Sequence, residues 1–420
     1  MSSLLRRPEK FIMPLSDMLS RGGNWLFMAL MPLVIEPTIY GTIVLFYGLE
    51  LILGNVGVIG QDKYVLRYYK ESGRIKETLL ISTVFSTIVL FIVAFIIDDI
   101  LKYEVDAKIY FALFGVIIFS NFNRIYLSKY RVDNEWYNFA KQRVAYVVIK
   151  VLVFFLLLSS GFEAVNAFVY SSFCSYLALT FLYMSLIKKC FTEFNVDTET
   201  VKIAVLFGAP ISFHLFASSM ISHADKFLIV QYVDSYSVGV YNFSYMLGSG
   251  FTFLLAALSI HFEPNVYKYS KNIKKQEQII SNFYKVGVFA AMFYLAILYG
   301  LKIISSYLAV EINYSREIVL ISLLSHFLNL TYLKSSYRLY SKGKSLNVSI
   351  VTVISSVLNI VFNIYLIPLF GMKGAIMSTL ISSTSLSLIM SYFSLKYINK
   401  MMKDIINIVC VWMISLIIIL

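Results

Sequence analysis

Charge-free runs about as long as a bilayer is thick recur along this chain. Thr78–Ile97, Ala164–Ile187, Val205–Ala224, Ser235–Phe262, Ser345–Met372 and Gly374–Leu395 all lack Asp, Glu, Lys and Arg. About 20 apolar residues suffice for a helix to cross the ~30 Å hydrocarbon core. Shorter runs complete a regular series of twelve spans: 14–35, 40–60, 77–97, 107–127, 143–160, 164–187, 203–232, 236–261, 281–303, 317–334, 346–367 and 374–395. A thirteenth apolar stretch, Ile405–Leu420, covers only ~24 Å as a helix, so a span and an interfacial segment both remain open for it.

Composition fits this pattern. Hydrophobic residues make up 59% of the 420 and charged residues 14%. Soluble domains run nearer 45–50% apolar and about a quarter charged. The expected class is therefore an all-α integral membrane protein. Arg6, Arg7 and Lys10 make a basic start, but Asp17 and Arg21 interrupt any signal-type apolar core, so the first span is expected to be retained.

The net charge of +12 follows from topology. With the N-terminus in the cytoplasm, 27 of the 36 basic residues fall in inner segments and five in outer ones. That asymmetry is the positive-inside rule, and it makes nucleic acid unnecessary as a partner. The connection near Lys188–Lys202 divides the spans into two sets of six. The expected parts are a lobe over 1–195, a second over 196–396, and a C-terminal apolar segment over 397–420. Gly41 and Tyr47 in the second span recur at the same spacing as Gly239 and Tyr245 in the eighth. An even number of helices per half implies parallel repeats.

Four basic residues remain inside the spans: Arg21, Arg124, Lys150 and Lys226. A charge in the bilayer core costs about 2.5–3.5 kcal/mol on insertion scales, so it faces a cavity or a partner. Asp17 and Arg21 stand i,i+4 on the first helix and can pair. Glu50 is too short to snorkel from mid-span and needs a partner or a proton. Lys150 stacks with Arg143 and Tyr146 at helical spacing. The seventh span carries His214, Ser218, Ser222, Asp225 and Lys226 almost as one stripe, and Pro210 is expected to bend it. Asp225 and Lys226, being adjacent, are expected to meet different partners. Asn242 in the eighth span, and Asn359 and Asn363 in the eleventh, are candidates for a polar lumen, with interhelical hydrogen bonding as the alternative.

Enzymatic chemistry finds little support. The four histidines and three cysteines show no metal or nucleophile spacing, and no Walker A or GxSxG motif occurs. No cofactor is expected. Scattered cations and hydroxyls in a lumen suit passage of a large polar, anionic solute.

Three stretches resemble the polysaccharide-exporter branch of the multidrug/oligosaccharidyl-lipid/polysaccharide superfamily, which includes the O-antigen flippases. They are Pro37-Thr38-Ile39-Tyr40-Gly41; Asp225-Lys226-Phe227-Leu228 with Val238-Gly239-Val240-Tyr241; and Leu358-Asn359-Ile360-Val361-Phe362-Asn363 with Ile367-Pro368-Leu369-Phe370-Gly371-Met372-Lys373-Gly374-Ala375. The resemblance implies a two-lobed bundle with a central cavity, working by alternating access in the bacterial inner membrane. It implies as cargo an undecaprenyl-pyrophosphate-linked oligosaccharide of O-antigen or capsule type. By the same carry-over Arg21 is a pyrophosphate contact, with Lys150, Lys226 and Arg124 as further candidates. Asp17, Glu50 and Asp225 are left for pairing or for H+ or Na+ coupling. Membrane lipids, a polysaccharide polymerase and a chain-length regulator are the implied partners. A cation-coupled drug antiporter of the same superfamily is the alternative. An integral-membrane polymerase is disfavoured, because the longest outer loop, about Asp98–Asp106, is small.

Overall fold

The computed structural model describes residues 9–72, 75–183, 197–307 and 313–394. Among these residues the regular structure is helical, and nine helices are long and apolar enough to cross a membrane. Chain contacts divide the protein inside one long helix, into Met1–His223 and Ala224–Leu420.

The first unit contains α1 (Glu9–Leu30), α2 (Pro37–Gly57), α3 (Gln61–Ser72), α4 (Lys76–Ala94), α5 (Ile97–Leu101), α6 (Ala107–Asp133), α7 (Trp136–Ser159), α8 (Ala164–Phe181) and the part of α9 (Thr198–Tyr232) through His223. Local chemistry sets the ends. Pro37 opens α2 at a position where its missing N–H costs nothing. Asn134 closes α6 in the left-handed conformation at φ 59°. The core packs Val58, Val65, Leu79, Ile125 and Tyr126 together, with Tyr183 stacked on Tyr126 at 4.2 Å.

The α2–α3 turn meets α9 backbone to backbone. Gly60 sits at φ 66° there, and a Cβ on Gly208 would lie 2.0 Å from the Ile59 carbonyl oxygen. Gln61 Nε2 bridges the same contact, donating to Ile59 O and to Ala204 O at 3.2 Å each. Ser212 Oγ donates to Asn55 O at 3.1 Å, and Asn55 Nδ2 to Ser219 Oγ at 2.5 Å. Small residues allow this approach, and polar ones hold it where apolar side chains gain nothing over lipid.

The second unit contains the remainder of α9, α10 (Ser235–Ser249), α11 (Phe251–Lys268), α12 (Ile273–Tyr307), α13 (Arg316–Ser341), α14 (Ser345–Phe370) and α15 (Met372–Ser394). Asp234 caps α10, accepting from Ser237 N at 2.7 Å. Gly371 alone joins α14 to α15, at φ 57° and ψ −134°, a conformation essentially closed to other residues. Gly374 then lets α15 lie against α14: a Cβ there would stand 2.1 Å from Leu366 O.

A helix or helix pair occupies each of the twelve expected spans. Two local readings change. The eighth span is two helices divided at Gly250, where Gly248, Ser249 and Gly250 weaken helix propagation. The segment after the second span, read as a connection, is the helix α3; Tyr64 and Val65 bury one side while Lys63 and Arg67 stay exposed. α9 continues as helix through Pro210. The 405–420 stretch, and most of the mid-chain connection, lie outside the described residues.

Candidate functional site

A cavity of about 1000 Å³ lies within the first unit. Its wall comes from the first half of α1, the last part of α2, the start of α3, the end of α6, the start of α7, Tyr176 near the end of α8 and Leu215 of α9. Arg21, Lys63, Arg124, Arg131 and Arg143 line it, against three carboxylates, Asp17, Glu50 and Asp62. The lining therefore carries two net positive charges. Asn55, Ser120, Ser128, Trp136 and Tyr176 supply hydrogen-bonding and aromatic surface.

Asp17 is shared between two arginines. Arg21 Nε lies 2.8 Å from its Oδ2, the i,i+4 pair expected from sequence. Arg143 reaches across from α7 and bonds Oδ1. Lys63 pairs with its neighbour Asp62 at 3.4 Å. Among the described residues, Arg124 and Arg131 have no carboxylate within ion-pair distance.

Behind this wall Lys150 is 1% exposed. Its Nζ lies 3.4 Å from Tyr146 Oη and 4.2 Å from the Phe168 ring centre. Glu50 is the opposite charge acting on it, and Ser172 and Tyr176 stand beside Glu50. Tyr47 flanks the lysine at 5.7 Å and accepts a hydrogen bond from Asn24 Nδ2 at 3.0 Å. Lys150 thus lies outside the cavity lining, buried among aromatic rings that can take its charge in place of water.

The second unit holds a comparable cluster of its own. Lys226 Nζ lies 3.0 Å from Asp225 Oδ1, and Tyr241 Oη donates to Asp225 Oδ2 at 2.8 Å. Adjacent helical residues point about 100° apart, which is why separate partners were expected. The four-carbon arm of Lys226 curls back and closes that angle, so the two charges meet each other. Tyr245 stands 5.2 Å from Lys226 and its hydroxyl 3.4 Å from His326 Nε2. His326 Nδ1 lies 2.8 Å from Ser322 O, so Nδ1 carries the proton and Nε2 accepts. The spacing shared by Gly41/Tyr47 and Gly239/Tyr245 therefore ends, in each unit, with the tyrosine beside a buried lysine.

The sequence-predicted residues separate accordingly. Asp17, Arg21, Glu50 and Arg124 share the cavity; Lys150 backs it; Asp225 and Lys226 belong to the other unit. Asn359 and Asn363, candidates for a polar lumen or for interhelical hydrogen bonding, are buried in the α14–α15 seam and take the second role. Asn359 Nδ2 donates to Ser382 Oγ at 3.1 Å, Asn363 Nδ2 to Asn359 Oδ1 at 3.1 Å, and Ser378 Oγ donates to Asn363 Oδ1. Asn242 is buried, with Nδ2 3.3 Å from Met246 Sδ. The side chain of His214 lies outside the described ones. Sequence reasoning missed Lys63, Arg131 and Arg143, which count by topology as inner-segment cations and line the cavity. For Arg143 the signal was its helical stacking with Lys150.

Comparison with known proteins places this architecture. The family model described as polysaccharide biosynthesis protein matches residues 39–262. No curated protein matches the chain in sequence. The fold is similar to the lipid II flippase MurJ in an inward closed conformation, with TM-score 0.67 and 14% identity over 97% of this chain and 92% of that one. It is similar also to an inward-facing multidrug resistance MATE family transporter of the MOP superfamily, with TM-score 0.65 and 14% identity over 95% and 94% of the two chains. An outward-facing MATE family transporter matches at TM-score 0.60 and 13% identity over 96% of each chain.

Proposed function

Because the chain belongs to the polysaccharide biosynthesis protein family, we propose that this multi-pass membrane protein is a flippase for a lipid-linked glycan. Its cargo is an undecaprenyl-pyrophosphate-linked oligosaccharide. It carries that cargo from the cytoplasmic to the outer leaflet of the bacterial inner membrane by alternating access. The observation that carries this reading is the cationic cavity of the first unit. A pyrophosphate diester bears about two negative charges and cannot cross hydrocarbon unaided; guanidinium groups can replace its water with bidentate hydrogen bonds. Arg124 and Arg131 are available for this without breaking an ion pair among the described residues. Asn55, Ser120 and Trp136 can receive the first sugars. The excess of basic residues at the same helix ends supports a cavity mouth on the cytoplasmic side. Lys226, buried against Asp225, is a weaker candidate for the cargo. Glu50 is the entry point we assign to H+ or Na+, should the transport be coupled. A polymerase and a chain-length regulator would act on the delivered product.

The test is genetic. A deletion strain should accumulate lipid-linked repeat units on the cytoplasmic face and lose surface glycan. Arg124→Ala should restore export less well than Arg124→Lys. Normal surface glycan in a deletion strain with no redundant flippase rejects the reading.

A further inference from the structure

Among the described residues, Asp17 is the one carboxylate in the cavity bonded by two arginines from different helices, Arg21 of its own helix and Arg143 of α7. Two guanidiniums converging on one pair of oxygens is the arrangement that a phosphate group adopts when arginines bind it. We propose that Asp17 is a built-in stand-in for the ligand's phosphate: it occupies Arg143 while the cavity is empty and gives it up when the ligand arrives. This rests on the flippase reading and adds a regulatory residue to the same site.

The asymmetry of the two bonds sets the exchange. Arg21 sits one turn from Asp17, and its side chain is 71% exposed. That pair can persist in the loaded state. Arg143 comes from α7, the helix packed beside α1, with 28% of its side chain exposed. Left without an anion in this half-buried position, it would be costly to hold. An incoming pyrophosphate offers more acceptor oxygens than a carboxylate, so it can take Arg143 and also engage Arg124. Asp17 then keeps Arg21 and a share of water. Each loading event is an anion exchange at Arg143 and not the filling of an empty cation.

Exchange also moderates affinity. A translocation site must bind well enough to load and loosely enough to release. The energy of the Asp17–Arg143 bond is subtracted from ligand binding at loading and returned at release. Removing Asp17 should tighten binding and slow turnover. A residue that merely positioned the two arginines would do the opposite.

The experiment uses the full chain in nanodiscs. The probe is a short-chain isoprenyl-pyrophosphoryl-N-acetylglucosamine, and the same variants are assayed for surface glycan in the deletion strain. Asp17→Asn and Asp17→Ser are expected to bind the probe about tenfold more tightly while export falls, and Asp17→Glu, which keeps the competing carboxylate, to bind it more weakly than either neutral variant. Inorganic pyrophosphate should compete with the probe more strongly in Asp17→Asn. Equal or weaker binding in both neutral variants, with Arg124→Gln still weakening binding, overturns the stand-in role and leaves the flippase reading intact. No binding by the unsubstituted protein, and no effect of Arg124→Gln, removes both. If the neutral variants fail to fold, Asp17 is a structural pin between α1 and α7 and the proposal is overturned.

Discussion

Lys150 Nζ lies 4.2 Å from the centre of the Phe168 ring, in a site where the lysine is 1% exposed. A buried cation placed this way depends on Glu50 and on the surrounding rings together. Lys150→Met should destabilise the protein by about 2 kcal/mol, because it removes the buried cation from the surrounding rings and its longer-range attraction to Glu50. The double variant Lys150→Met/Glu50→Leu should recover part of the loss. Denaturant unfolding in detergent, arranged as a double-mutant cycle, measures the coupling.

Tyr241→Phe tests the second unit's ion pair. The hydroxyl donates to Asp225 Oδ2 at 2.8 Å, and both side chains are buried. Loss of the donor leaves a buried carboxylate oxygen short of a partner, at a cost of about 1–3 kcal/mol. A fall in thermal midpoint is expected, and an unchanged midpoint contradicts it.

Gly208→Ala and Gly374→Ala test the close backbone approaches. The added Cβ atoms would stand 2.0 Å from Ile59 O and 2.1 Å from Leu366 O, so helices must move apart. Overpacking of this kind costs about 1–3 kcal/mol or more. Gly300→Ala is the control: it lies in α12 with nothing within 4 Å, and it should gain about 0.5–1 kcal/mol from helix propensity. Monodispersity and thermal midpoint after extraction separate the three.

Arg338→Lys should weaken the α12–α13 connection. Arg338 forks onto Glu277, Nε to Oε1 at 2.7 Å and Nη2 to Oε2 at 2.8 Å. Lysine can make one of these bonds at a time. A loss of about 1–2 kcal/mol in unfolding free energy is expected, matching one charge-assisted hydrogen bond. Glu277→Gln should give a similar loss, and the two together should be less than additive.

Much of the architecture is written locally. Charge-free runs mark the spans because the bilayer admits few charges and demands about 20 residues per crossing. Pro37, Asp234 and Gly371 mark helix ends because their backbone and capping chemistry fits those places. Asp17 and Arg21 could be paired from i,i+4 spacing alone. Arg143 could not be joined to Asp17, since 126 residues separate them in sequence. Asp225 meets Tyr241 of another helix, as its position on the helix implies, while Lys226 also reaches Asp225, because helical geometry fixes where a Cβ points and a long side chain is free to fold back.

The sequence by itself determined where the apolar spans fall and which four cations must be accommodated inside them. Only the tertiary structure decided which of those cations share a wall. In water, an apolar stripe tells a helix which face to bury. Lipid is as apolar as a leucine core, so that signal fades and small or polar contacts choose the neighbour. Those contacts put Asp17, Arg21, Arg124 and Arg143 around one cavity and leave Lys150 among tyrosines behind it.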